Sequence, residues 1–368
     1  MGNQGDRLLL ARPREMMYNL IVMKKRQDRF TIIEYAIMTA VLGAAFLLCI
    51  CLGSVTIPLS ETVRVLKGVL LRLPQQAGGT YSSILLSVRI PRVLCAALIG
   101  ASLSIAGAAM QGLLRNPLAD GSTMGVASGA SLGAVLSIAL GLSLPFLPKG
   151  STVACAVVFA FLSLLFIMTV TYRLDASLST NTIILVGVVF SMFISSISNL
   201  VITFAGEKVR TITFWSLGSL QSAGYDSAKI LLVSLIVCGG CLLLQTDELN
   251  AFAIGEDNAR SIGINVRRSK LLILISVSAL TGICVSTAGT IGFAGLVTPH
   301  ILRGLTGPNH KRLLPASIFG GAVFLMLADL VARTVLRPRE LPIGVVTSLI
   351  GTAVFLIIFA RTRKGEKI

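Results

Sequence analysis

The sequence predicts an all-α, polytopic membrane protein, and three observations predict it. Hydrophobic residues make up 54% of the 368-residue chain and charged residues only 13%. Mean hydropathy is +0.85, far above that of a water-soluble domain. The apolar residues fall in long runs, and at roughly 20 residues per crossing the chain has room for about ten. In hydrocarbon every backbone amide must be satisfied within its own segment, so runs of this length read as helices.

Taken in order, residues 1–31 form a polar, basic head. The first apolar run, 32–53, is too long for a signal peptide and has no small-x-small cleavage site, which makes it an uncleaved first span with the head inside. Met23 opens Met-Lys-Lys-Arg-Gln-Asp-Arg, a conventional short basic head, so a start at Met23 is an alternative to Met1. Further spans are expected near 93–114, 122–142, 151–171, 181–205, 228–245, 270–291, 294–306, 314–334 and 342–360. The eighth is short, and Gly292, Gly295 and Pro299 predict that it is partly broken. This divides the chain into a head (1–31), a transmembrane domain (32–360) with a cytoplasmic loop at 246–268, and a cytoplasmic tail (361–368).

Lys and Arg number 32 against 16 Asp and Glu, a formal charge of +16. The charges sit in short runs between apolar stretches, without the continuous basic, aromatic-interleaved groove that nucleic acid requires. Assigning the head, the loops after even-numbered spans and the tail to the cytoplasm collects most of them, as the positive-inside rule demands. The exception is Arg64, Lys67, Arg72, Arg89 and Arg92, which crowd the first outer loop.

Small residues recur at helical spacing: Gly100, Ser104, Ala108 and Gly112; Gly121, Gly125, Gly129 and Gly133; Ser278, Gly282, Ser286 and Thr290. Lipid offers little hydrophobic force between helices, so such stripes predict close packing rather than a wide pore. The second and seventh spans share a loose pattern. Ala106-Gly107, Gly112-Leu-Leu114 and Asn116-Pro117 match Ala288-Gly289, Gly295-Leu-Val297 and Thr298-Pro299, in spans of opposite direction, which suggests an inverted duplication.

No G-x-x-x-x-G-K-[ST] loop is present, so the chain cannot by itself cradle a nucleotide's phosphates. The two histidines, His300 and His310, lie near the inner end of the eighth span. No carboxylate is expected at mid-membrane. Asp329 falls toward the outer end of span nine, in a capped or water-exposed structural role. A proton-coupled carrier therefore has little to work with. Cys238 and Cys241 have C-x-x-C spacing, but Gly239-Gly240 between them fits helix packing better than metal or redox chemistry.

One cytoplasmic loop, from Asp247 to Gly263, reads as two short helices broken at Gly255. The second starts with Glu256 and Asp257 at its positive dipole end and is closed by Gly263. Leu249, Phe252, Ile254 and Ile262 give it apolar anchors without the length to cross the membrane, and its acidic start points to a soluble partner.

Several motifs, in order, carry a resemblance: Arg89-Ile-Pro-Arg92, Gln111-Gly-Leu-Leu-Arg-Asn-Pro-Leu-Ala-Asp120 and Gly255-Glu256-x-x-Ala259-Arg260-x-x-Gly263. Gly292-Phe-Ala-Gly-Leu-Val-Thr-Pro-His300, Ala328-Asp329-x-x-Ala332-Arg333 and Glu340-Leu-Pro-Ile-Gly-Val-Val-Thr347 continue it. From about residue 53 to 360 the chain resembles the FecCD family of ABC-importer permeases, which take up iron-siderophores, haem and vitamin B12.

The resemblance implies an ABC type II importer permease fold in a bacterial plasma membrane, as a homodimer or with a sister permease. It implies two ABC ATPase subunits below and an extracytoplasmic substrate-binding protein above. ATP and magnesium would be held by the ATPases, with no cofactor and no catalysis on this chain. By matching position, Leu249, Phe252, Gly255, Glu256, Arg260 and Gly263 belong to the ATPase-coupling element. Arg89, Arg92 and Arg333 match outward arginines that receive carboxylates of the binding protein, with headgroup anchoring as the alternative. Ser179, Thr180 and Asn181 match a cytoplasmic gate, although Asn181 stands where a second hydroxyl residue would, and a helix N-cap is the plain alternative. The segment from Thr211 to Leu220 resembles a short re-entrant helix near the pore mouth, and Trp215 alternatively anchors at the interface. The expected cargo is an iron-siderophore complex. A vitamin B12 or haem importer is the alternative, and an ion-coupled secondary transporter lies outside the family.

Overall fold

The computed structural model describes residues 30–71, 80–122, 124–142, 151–175 and 178–363. The basic head over 1–29, Arg72 of the outer loop and residues 364–368 of the tail lie outside them. Each of the ten expected spans coincides with a helix, and no strand occurs among the described residues. Thr31 opens α1 (Ile32–Cys51) with a capping box, its hydroxyl accepting from the Glu34 amide while the Glu34 carboxylate accepts from the Thr31 amide. A short α2 (Leu59–Leu70) and α3 (Thr80–Ile84) follow, and a π-helical turn over Leu85–Arg89 feeds α4 (Ile90–Leu114). Then come α5 (Val126–Leu140), α6 (Ser151–Leu174), α7 (Thr180–Thr203) and α8 (Val209–Ser216). A second π-helical turn, Leu235–Gly239, joins α9 (Tyr225–Ser234) to α10 (Gly240–Leu244). The cytoplasmic loop holds α11 (Thr246–Ile254) and α12 (Glu256–Ser261). The remainder is α13 (Val266–Ala288), α14 (Ala294–Thr306), α15 (His310–Thr334) and α16 (Ile343–Arg363). Among the described residues, seven helical stretches are long and apolar enough to cross a membrane; α5 is a shorter apolar helix.

α4 is the hub, buried along nearly its whole length and packed against α15, α14, α13 and α9. By contrast α1, α6 and α7 turn Ile33, Ile37, Phe161, Phe166, Val189 and Phe193 outward, a belt of apolar surface suited to lipid tails. The small-residue stripes explain the packing. A side chain at Gly100 would meet the Gly321 backbone of α15, one at Gly107 would overlap the Gly295 carbonyl of α14, and one at Gly282 would reach Ala160 of α6. Gly129 and Gly133 likewise seat α5 on Ser163, Phe159 and Cys155 of α6. These backbones touch because nothing stands between them.

Two expectations are corrected. The eighth span is not broken at Gly295 or Pro299, because α14 runs through both; the irregular backbone lies before it, at 289–293. Gly289 leaves α13 at φ 72°, and beside it residues 216–219 tie this segment to the start of α16. Ser219 N donates to the Ala288 carbonyl, Ile343 N to Gly218 and Gly344 N to Leu217, while the Thr290 hydroxyl donates to the Ser216 carbonyl. Irregular backbone survives at membrane depth only when satisfied in this way or when lining a cavity.

The second correction concerns Asp120. α4 ends at Arg115 in a left-handed turn, φ 49°, and the chain then climbs back into the bundle instead of staying at the surface. Gly121 rests against Thr281 of α13, and the Asp120 side chain lies beside Gly295, which itself abuts the Leu103 carbonyl in the middle of α4. A carboxylate therefore does sit at mid-depth. The same climb shortens α5 to 15 residues, about 22 Å at 1.5 Å per residue.

Because Gly107 and Gly295 are in backbone contact, Gly107→Val must push α14 away from α4. Overpacking of this kind costs about 1–3 kcal/mol, so the purified variant in detergent should unfold several degrees lower than the parent. An unchanged midpoint would refute the contact.

Candidate functional site

The outer end of the bundle is held by three arginines. Arg89 donates to the carbonyls of Ile50 (2.8 Å), Cys51 (2.9 Å) and Val55, and Arg333 to those of Cys49 (3.2 Å) and Leu52 (3.5 Å). These carbonyls belong to the C-terminal turn of α1 and its continuation, where unpaired acceptors and the helix dipole attract cations. Arg92 bridges Asp329 (Nε to Oδ1, 3.0 Å) and Glu340 (Nη1 to Oε2, 2.9 Å), while Arg333 Nε lies 2.9 Å from Asp329 Oδ2. Gln221 also donates to Glu340 at 3.3 Å. Burial alone would raise the Glu340 carboxyl; the hydrogen bond and charge of Arg92 outweigh it and hold that group below its ordinary value. Its contribution to stability is complete above the ordinary carboxylate value and is lost as pH falls through the lowered one.

The three arginines are thus buried, with exposures of 4%, 8% and 4% for Arg89, Arg92 and Arg333, and none presents a free guanidinium to a partner. Asp329 is fully buried and paired rather than water-exposed, in a structural role. Exposed cations of this end include Arg64 and Lys67 of α2, Lys229 of α9 and, in the turn after α15, Arg337 and Arg339. The Arg-Pro-Arg run between two spans was the sequence signal for the last two.

At mid-depth a cleft of about 750 Å³ opens among α4, α5, α7, α8, α13, α14 and α16. Its lining sets the hydroxyls of Ser122, Ser128, Ser131, Ser195, Ser198, Ser216, Thr281, Thr290 and Ser348, the Asn199 amide and the single carboxylate of Asp120 among aliphatic side chains such as Leu103, Ile202, Val285 and Leu349. The seam of irregular backbone forms one wall through Ser216, Leu217, Thr290, Gly292 and Gly344. The segment expected to re-enter begins within α8, which ends at Ser216; Trp215 packs half-buried on the core.

At the inner end the cytoplasmic loop folds as two short helices, broken at Gly255 with φ 144° and closed by Gly263 with φ 87°. Its apolar residues divide. Leu249 and Phe252 are buried in the core, whereas Ile254 and Ile262 are 74% and 71% exposed. The first pair therefore anchors the loop and the second faces outward with Asp257 and Arg260. The loop is tied to the start of α15 by Asn250, which accepts from the His310 amide at 2.9 Å, and by Asp247 with Lys311 at 2.6 Å. Ser179 caps α7, its hydroxyl accepting from the Thr182 amide, and its own amide donates to Asp175. Ser179, Thr180 and Asn181 face the loop across a cavity of about 580 Å³ that they share with Arg115 and residues 254–258.

A cleft of hydroxylic and aliphatic side chains inside a lipid-facing helical bundle, with a two-helix loop held against its inner end, fits a transport permease. The chain belongs to the FecCD transport family, whose model matches residues 41–361, and it is a multi-pass ABC-importer permease of the bacterial plasma membrane. It is 41% identical to an uncharacterized ABC transporter permease, YvrB, of Bacillus subtilis, over 94% of this chain and 98% of that one. It is 37% identical to the hemin transport system permease HmuU of Yersinia pestis, over 76% and 84%. Its fold matches a solved metal-chelate type ABC transporter in an inward-facing conformation with a TM-score of 0.77, at 28% identity over 88% of this chain and 97% of that one.

Removing one partner from a buried ionic cluster costs about 3–5 kcal/mol. Asp329→Ala should therefore lower the unfolding midpoint of the purified protein more than Glu340→Ala does, since Asp329 is fully buried and Glu340 is not. Equal, small losses would show that the carboxylates add little to what the α1 carbonyls give Arg89 and Arg333.

Proposed function

We propose that the chain moves an iron chelate of the siderophore class through this cleft, paired with a second copy or a sister permease, on energy supplied by two ATPase subunits. The lining of the cleft carries the reading: it offers hydroxyls, an amide and one carboxylate, and no His, Cys, Met or Tyr to hold a haem iron axially. A metal crossing such a surface stays inside its own ligand. The hemin and metal-chelate relatives keep haem as a second cargo, and vitamin B12 is the third. Liposomes holding the assembled transporter should accumulate a ferric siderophore at least tenfold over haem or cobalamin when given the cognate binding protein. Preferential uptake of haem or cobalamin would overturn the cargo assignment while leaving the import reading intact.

In this reading Ile254, Asp257, Arg260 and Ile262 enter the ATPase, Gly255 and Gly263 shape the loop, and Leu249 and Phe252 fix it to the bundle. Ser179, Thr180 and Asn181 form the cytoplasmic gate. Replacing Glu256 and Arg260 together should leave less than about a tenth of the transport per ATP hydrolysed, the equivalent of roughly 1.4 kcal/mol of lost coupling. Full coupling in the double variant would remove the loop from the mechanism.

At the outer face, Arg89, Arg92 and Arg333 shape the docking surface from beneath, and Arg337 and Arg339 receive the binding protein's carboxylates. Charge reversal at Arg337 and Arg339 should slow association of the binding protein about tenfold at low salt and much less at high salt. Salt-independent, parental association rates would place docking elsewhere.

A further inference from the structure

Lys270, which positive-inside counting treats as one more cytoplasmic charge, is 1% exposed. It stands one turn into α13, and its ammonium donates to two acceptors, the Leu178 carbonyl at 2.7 Å and Glu256 Oε1 at 2.7 Å. A buried ammonium persists only where such partners hold it. The partners come from different places. Glu256 is the first residue of α12, directly after the Gly255 break. Leu178 is itself buried, adopts φ 53°, and immediately precedes Ser179, the N-cap of α7. Between the same two segments lies the cavity shared by Arg115, Ser179, Thr180, Asn181 and residues 254–258, so there is room for them to move relative to each other.

We infer that Lys270 is a positioning residue that ties the ATPase-contacting helix to the cytoplasmic gate, so that displacement of Glu256 is passed to the turn at Leu178 and Ser179. The inference rests on the coupling and gate roles proposed above. The geometry supplies the rest. Glu256 has one buried cation within reach, and that cation's other bond goes to the main chain at the gate rather than to a side chain that could swing away. A push on α12 therefore either carries the gate turn with it or breaks the ion pair, which gives two discrete arrangements instead of a graded one.

The test uses the complete transporter in liposomes, with its ATPase subunits and binding protein. Lys270→Met removes the ammonium while keeping the side chain's length, and leaves no fully buried charge behind because the Glu256 side chain is 22% exposed. Substrate accumulated per ATP hydrolysed should fall about tenfold in Lys270→Met and in Glu256→Gln, and no further in the double variant, because both singles break one contact. Lys270→Arg should recover part of the loss. In an Asn181→Cys background, labelling by a membrane-impermeant maleimide from the cytoplasmic side should change severalfold on vanadate trapping of nucleotide, and Lys270→Met should abolish that change. A parental ratio, multiplying losses in the double variant, or a persisting nucleotide response in Lys270→Met would each overturn the link. An Asn181→Cys parent with no nucleotide response would overturn the gate reading itself, and the link with it.

Discussion

The close approach of backbones along α4 is the constraint on which the rest of this molecule depends. Lipid tails are as apolar as leucine, so helices gain nothing by merely hiding oily faces from one another. Gly100 against Gly321 and Gly107 against Gly295 bring main chains into direct contact, where dispersion and weak polar attractions act at short range. With α14 and α15 seated this tightly, the cleft is set by the side chains and irregular backbone that remain, serines and threonines among aliphatic residues.

Apart from the Asp120 carboxylate at mid-depth, the buried charges described above lie at the two ends. At the outer end arginines complete the carbonyls of α1 and neutralise Asp329, so the first helix, largely exposed to lipid, is fastened at its terminus. At the inner end Lys270 and Asn250 do comparable work for the cytoplasmic loop. Both clusters use main-chain acceptors as well as carboxylates. A carbonyl carries no charge to be stranded, so part of each cluster survives when the chain moves.

Much of this was legible beforehand. The apolar helices, the stripes and the break at Gly255 follow from hydropathy, spacing and the conformational freedom of glycine, all of which are local. What escaped was depth. Asp120 sits in an Asn-Pro-Leu-Ala-Asp-Gly stretch that looks like a surface turn, and only the return of the chain beside Gly295 takes it to mid-bundle. Arg89, Arg92 and Arg333 sit at span ends where a cation ordinarily reaches water, and no local pattern announces that α1 will end within their reach. The division of Leu249 and Phe252 from Ile254 and Ile262 was hidden for the same reason, since a nine-residue helix offers too few turns to define a buried face.

The seam joining 216–219, 288–290 and 343–344 has a mechanical corollary. Three chain segments distant in sequence are hydrogen-bonded there, so the ends of α8 and α13 and the start of α16 meet at one knot. None can slide along its own axis without straining hydrogen bonds made to the others. A displacement of any one of them is therefore felt by the other two.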